Sequence, residues 1–242
     1  MHVLLKLAGK YPQLLLPIQE GMKTTEEYKN VVLRGQKTDR VPDFTYSEKD
    51  VLETVETEAG AAEVLTLADR ADFEKVIQKL AYRCEPTEIP ASMGASTIIG
   101  LNNWEKVRAG EENYKDMIIV LSSGIYSNVT AEDIYHITDG DINLSNCEWI
   151  EKSVIIRKYH ELRHFVDRKL RPDDIDALRD EINADHDGIL AAFGYYDKNL
   201  ARLFLGIEGE TYRQGGRLEN YLKEGEELKQ FIDRAERLIE QK

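Results

Sequence analysis

Cysteine is nearly missing from this chain. Two residues, Cys84 and Cys147, stand far apart in 242. No paired Cys spacing exists to hold zinc, and two cysteines cannot build the dense framework of a small secreted domain. Both are expected as reduced, buried residues, acting as small core hydrophobes in a cytoplasmic protein. Positive charge is also short: 32 Lys and Arg against 45 Asp and Glu leave a formal charge of −13. A surface of that sign repels phosphate backbones and anionic lipid, which argues against nucleic acid and membrane surfaces as partners. Long apolar runs are absent as well, so no stretch reaches the roughly 18 apolar residues of a membrane span. The apolar N-terminus is interrupted by Lys6 and Lys10 and followed by Pro12 and Pro17. It has no small-residue cleavage site and does not fit a secretory signal. Internal repeats and low-complexity segments are likewise not found.

What is present is an ordinary globular composition, 42% hydrophobic and 32% charged, in a chain long enough for one large or two small domains. Residues 1–30 read as a helix, an irregular stretch between Pro12 and Pro17, and a second helical piece capped by Thr24 or Thr25. Leu4, Leu5, Leu7, Leu14, Leu15 and Leu16 are too apolar to be exposed together. They are expected to pack on the main core or on a partner chain, the latter making this segment a homo-oligomer contact. Residues 34–48 read as a polar loop. Val51 to Glu58 fits strand or helix, and Ala61 to Leu67 reads as a strand. Asp69 or Asp72 caps a helix with Phe73, Val76, Ile77, Leu80 and Ala81 at helical spacing. Small residues from Ala91 to Leu101 suggest a close-packed loop leading into a short strand, followed by a helix near Trp104 to Ala109.

Asp116 to Gly124 contains the clearest strand, β-branched and closed by a small-residue turn. Thr130 caps a short helix, and residues 137–146 form a loop. From Ser153 the pattern is helical, with Val154, Ile155, Tyr159, Leu162, Val166 and Leu170 on one face. Arg171-Pro172-Asp173 breaks it, Asp173 or Asp174 caps the next helix, and Gly194 stops that one. A further helical piece covers Leu200 to Leu205. Gly206, Gly209, Gly215 and Gly216 mark a flexible segment before a charged helix from Arg217 to about Glu240. The fold class expected is α+β, with a small mixed sheet in the N-terminal half and a helical C-terminal half. One domain over residues 1–242 is expected, with a possible subdivision into 1–90 and 91–242.

Within the first of the two helices stands His160-Glu161-Leu162-Arg163-His164, the His-Glu-x-x-His pattern. Residues four apart share a helix face, so His160 and His164 can reach one metal ion. Glu161 lies about 100° round the helix, displaced for a ligand but placed as a general base on a metal-bound water. If the helices end near Leu170 and begin near Asp174, they form an antiparallel pair. His164 is then about 9 Å before the turn and Glu181 about 10.5 Å after it, so the two sit level. Asp185, one turn on, is level with His160. Catalytic zinc takes three protein ligands and a water, which makes Glu181 the third. Asp185 can accept the remaining ring N–H of His160 and fix its tautomer. His186 lies off the face of Glu181 and Asp185, and His2 and His136 read as structural or solvent-facing.

With His160, Glu161, His164, Glu181 and Asp185 in place, the chain resembles the gluzincin zinc metallopeptidases over residues 153–194. Within that clan it is similar in style to the small cytoplasmic regulatory members. The resemblance implies a zincin-like helix pair, bound zinc, Glu161 as base, and hydrolysis of a peptide or protein substrate. It departs in a shorter gap between His164 and Glu181, in Asp180 rather than Asn before Glu181, and in having no downstream histidine to stabilise the oxyanion. Tyr212, Arg213, Tyr195 or Tyr196 could donate instead. Tyr212 is the catalytic candidate, although nothing in the sequence chooses among the four. Met117 to Leu121 is either a substrate-holding strand edge or an ordinary central strand.

Two other functions compete. Glu161-x-x-His164 also suits a carboxylate-bridged di-iron site, but the second helix offers Asn183-Ala184-Asp185-His186, which lacks the required glutamate. A catalytically weak or inactive protein that keeps the metal and acts through protein partners is the alternative.

Overall fold

The computed structural model describes residues 2–173, 176–209, 211–222 and 225–242. The chain divides into two compact units, one of residues 1–56 and 61–123, the other of residues 57–60 and 124–242. The division does not fall in the 86–96 stretch. That stretch links a helix to a strand packed in the same core, so it lies inside the first unit.

The first unit opens with α1 (Val3–Lys10), the one-turn α2 (Glu26–Tyr28) capped by Thr25, and a π-helical turn over Lys29–Leu33. A sheet follows from β1 (Val51–Thr57), β2 (Gly60–Leu67), β3 (Ala95–Asn102) and β4 (Lys115–Ser122), with α3 (Arg70–Leu80) and α4 (Trp104–Ala109) between strands. The strand order is β1-β2-β4-β3, with β2 and β4 parallel and β3 and β4 antiparallel, so the sheet is mixed. Leu65, Leu67, Phe73, Val76, Ile118 and Val120 form its core. Leu4, Leu7 and Leu14 are buried in that same core, and only Leu5 of the N-terminal leucines is exposed. Leu4, Leu7 and Leu14 of the segment are therefore spent on the core of their own chain. Strand β4 is central. Its backbone pairs on both sides, so Met117 to Leu121 offers no edge to a substrate.

The second unit is helical: α5 (Ala131–Ile137), α6 (Asn146–Leu170), α7 (Ala177–Phe193), α8 (Lys198–Leu205) and α9 (Leu228–Glu240), with a two-stranded ribbon of β5 (Ile207–Glu208) and β6 (Thr211–Tyr212). Helix α6 begins at Asn146, seven residues before Ser153. The start signal is a capping box, in which Ser145 Oγ accepts from the Glu148 amide and Glu148 accepts from the Ser145 amide. The helix ends at Arg171, directly before Pro172, where the ring disfavours helical backbone. Asp176 rather than Asp173 caps α7, accepting from the Arg179 amide; Asp174 lies outside the described residues. Gly194, left-handed at φ 81°, stops it. The segment from Arg217 to Glu240 is not one helix. A 3₁₀ turn spans Arg217–Tyr221, Gly225 adopts φ 86°, and α9 starts only at Leu228. Cys84 is buried but Cys147, in the first turn of α6, is exposed; both are free.

Helices α6 and α7 lie in contact at Gly188. A Cβ on Gly188 would meet the carbonyl oxygen of Ile156 at 2.7 Å, so only glycine permits this approach. Trp149, Ile156, Ile182, Ile189, Leu200 and Phe204 close the core around the pair. The Trp149 indole donates to the Val129 carbonyl at 2.7 Å. Among the described residues no helix is long and apolar enough to cross a membrane.

Candidate metal centre

The i,i+4 spacing on α6 turns His160 and His164 to one side, with ring centroids 4.7 Å apart and Nε2 atoms 3.1 Å apart. Across the pair, α7 brings Glu181 to both. Its Oε1 lies 3.1 Å from His164 Nε2 and its Oε2 lies 3.4 Å from His160 Nε2. Among the described residues these three form the group whose donor atoms could hold a metal ion, all within 4.8 Å of one another. Zinc bonded to His nitrogen and carboxylate oxygen at about 2.0–2.1 Å in a tetrahedron needs donors roughly 3.3 Å apart. The two nitrogens, 3.1 Å apart, meet that spacing, and each faces a different oxygen of the Glu181 carboxylate, Oε1 at 3.1 Å from His164 and Oε2 at 3.4 Å from His160. Two imidazoles and a carboxylate are also the donor types that catalytic zinc takes.

The other nitrogen of His160 is held from outside. Nδ1 lies 2.9 Å from Asp185 Oδ1 and 3.0 Å from the Tyr126 hydroxyl, and that hydroxyl donates to Asp185 Oδ1 at 2.7 Å. Arg217 completes the set. Its guanidinium donates to the Tyr126 oxygen at 2.6 Å, to Ser127 Oγ at 3.3 Å, and to Asp185 Oδ2. Tyr221, from the same 3₁₀ turn, hydrogen-bonds Glu181. Helix α6 itself places Tyr126. Ser153 Oγ accepts from the Tyr126 amide at 3.1 Å, and Arg157 donates to the carbonyls of Gly124 and Ile125. The turn carries two non-glycine residues in the left-handed region, Ser127 at φ 52° and Asn128 at φ 56°, a cost that its anchoring on α6 overcomes.

Burial sharpens the charges. Asp185 is 1% exposed, and the His164 and Glu181 side chains are each 14% exposed. For Asp185, burial alone raises the pKa, but the Arg217 charge and the His160 hydrogen bond outweigh it and hold the carboxyl below its ordinary value. For Glu181, burial is outweighed by hydrogen bonds from His160 and His164, which drive the carboxyl far below the carboxylate range. Burial disfavours a charge on His160, yet Asp185 and Glu181 overcome it and raise its pKa to about 9. Burial pushes the Tyr126 hydroxyl well above the tyrosine range, so it is a donor at any physiological pH.

Of the residues singled out in the sequence, His160, His164 and Glu181 come together and Asp185 stands on His160. Glu161 follows His160 on α6 and is half-buried. Tyr212 is not brought into use: its hydroxyl donates to the Gly216 carbonyl at 2.7 Å and accepts from the Glu219 amide at 3.2 Å, inside its own turn. Arg213 pairs with Glu208, Tyr195 is exposed, and Tyr196 packs its ring on His186. His186 turns Nδ1 to Asp187 at 2.9 Å. The residues missed are Tyr126, Arg217 and Tyr221. No local pattern marks them. The one trace is Gly216, where a Cβ would meet the Tyr212 hydroxyl at 2.8 Å; it reads as a loop glycine but is the close-packed step that leads into Arg217.

The model of a family described as a family of unknown function (DUF7005) matches residues 2–113 and 108–242. No curated protein and no solved structure matches the chain.

Proposed function

The chain belongs to this family of unknown function, and from the chemistry of its centre we propose that it is a zinc-dependent hydrolase, a metallopeptidase of gluzincin type. The observation that carries the reading is the convergence of His160 Nε2 and His164 Nε2, 3.1 Å apart on α6, on the Glu181 carboxylate of α7, whose two oxygens lie 3.4 and 3.1 Å from them, with a glutamate next after His160. Zinc, when bound, acidifies the water it holds and polarises a carbonyl. His160, His164 and Glu181 hold the ion, and Asp185 keeps the His160 ring in register through Nδ1. Glu161 takes a proton from the attacking water and returns it to the leaving amine. The substrate is a peptide or protein. We place the protein in the cytoplasm, where two free cysteines, one of them exposed, stay reduced.

A second reading is a metal-binding protein without hydrolysis that acts through protein partners. It is favoured by one observation: the hydroxyl of Tyr212, the donor expected for the oxyanion, is spent on its own turn. Elemental analysis of protein purified without added metal tests the centre. About one zinc per chain is expected, lost in His160→Ala; two irons or no metal would sink the reading. A peptide library then separates the two functions. Glu161→Gln should keep zinc and lower kcat/KM by about 10²–10⁴. Retained zinc with no cleavage in either protein favours the second reading.

A further inference from the structure

Between the metal ligands and the surrounding turn runs a chain of hydrogen bonds whose direction is fixed at one end. Arg217 has only donors. The Tyr126 oxygen and Asp185 Oδ2 must therefore accept from it, as their positions against the guanidinium require. The Tyr126 proton is then free to point to Asp185 Oδ1, at 2.7 Å, or to His160 Nδ1, at 3.0 Å. These two arrangements have opposite consequences. If Tyr126 donates to Asp185, Nδ1 of His160 can carry its own proton and donate to the same oxygen, at 2.9 Å. The Nε2 lone pair then faces His164 and Glu181. If Tyr126 donates to Nδ1, the ring's proton sits on Nε2, where the metal must go.

We propose that Arg217 is the positioning residue of the metal centre: its guanidinium holds the Tyr126 oxygen and Asp185 together at Nδ1 of His160, and so fixes the ring with Nε2 toward His164 and Glu181. This rests on the metal-centre reading above. The geometry favours Arg217 for this task in three ways. Its planar fork spans two acceptors, which a single ammonium cannot do in one fixed geometry. It stands over the Tyr126 ring with its central carbon 5.3 Å from the centroid, so it packs against the residue it orients. It reaches the centre from a 3₁₀ turn 91 residues away from Tyr126, with Gly216 before it in a close-packed seat.

The test uses the full chain, with zinc alone for affinity and cobalt(II) for the visible absorption of the ligand field. Wild type is expected to take one ion. Arg217→Met should weaken zinc binding about 10–100-fold, the usual effect of removing an outer partner of a metal ligand, and should change the cobalt bands. Arg217→Lys should recover part of the loss, because one ammonium can serve one of the two acceptors. A folded Arg217→Met protein with wild-type zinc affinity and unchanged cobalt bands overturns the proposal. Should Arg217→Met not fold, Tyr126→Phe keeps the ring and cuts the chain at its middle. Weaker zinc binding with altered cobalt bands supports the proposal there, and unchanged binding and bands overturn it. Wild type that binds neither ion is a different failure, since it removes the metal-centre reading itself.

Discussion

At Nδ1 of His160 two oxygens compete for one proton, and the charge of the whole site is felt there. The Asp185 and Glu181 carboxylates raise the pKa of this ring to about 9 against the burial that would lower it, whereas an unfolded histidine titrates near 6.5. A folded value above the unfolded one means that the ion pairs contribute their full stability below about pH 6.5 and lose it as pH rises through about 9. Chelator-stripped protein should therefore lose on the order of 3 kcal/mol between those limits. Zinc needs the deprotonated ring, so its affinity should rise over the same window, and zinc-loaded protein should hold its stability there. Urea unfolding with and without zinc across this range checks both signs. The ligand residues themselves were readable from spacing, because residues four apart on one helix share a face whatever surrounds it. The donor that orients them was not, because Arg217 is linked to the site only by packing.

Helices α6 and α7 form the element on which the centre depends, and their closeness is set by one missing side chain. Gly188 to Ala in an ordinary exposed helix gains up to about 1 kcal/mol of propensity. Here the added Cβ would stand 2.7 Å from the Ile156 carbonyl oxygen, a backbone atom that cannot turn aside. Overpacking of this kind costs about 1–3 kcal/mol, so the clash outweighs the propensity gain. Gly188→Ala should be destabilised by about 1–2 kcal/mol in denaturant melts and should bind zinc more weakly, because Glu181 and Asp185 move with α7. A gain in stability would mean that the helices have room to part. At this scale the caps were legible: Thr130 and Gly194 act where the sequence places them, and of the pairs it left open, Thr24 or Thr25 and Asp69 or Asp72, Thr25 and Asp69 cap. The level of Glu181 against His164 follows from helix rise alone, and it survives the shift of the α7 cap from Asp174 to Asp176. Helix α6 starts earlier than its apolar periodicity suggests, because the Ser145–Glu148 box, not the apolar face, starts it.

Over the whole molecule, each of the two units has its own core and one of the two tryptophans. Trp149 is fully buried in the core around α6 and α7 and reports directly on the unit that holds the centre. Zinc at about 100 times its Kd should raise the stability read by Trp149 fluorescence, in a Trp104→Phe background, by roughly 2.7 kcal/mol. His160→Ala should abolish that increment while leaving Trp149 buried. An increment that persists in His160→Ala would place the ion elsewhere. The leucines of the N-terminus suited the main core or a partner chain, and the first unit takes Leu4, Leu7 and Leu14 into its core, since a four-stranded sheet with its helices has apolar surface to cover.

By itself the sequence determined what depends on residues close along the chain: the two histidines on one face, the glutamate beside them, the acidic pair one turn apart on the next helix, and the sheet followed by helices. These follow from a repeat of 3.6 or 2 residues and from the rise of a helix. Only the tertiary structure decided that β4 is central, because an apolar strand reads the same with one neighbour or two. It alone decided that Cys147 is exposed, since burial depends on what packs over a residue. It alone brought Tyr126, Arg217 and Tyr221 to the ligands. Contacts across 34 and 91 residues rest on how cores pack, and that information is spread over the whole chain rather than written beside the residues it joins.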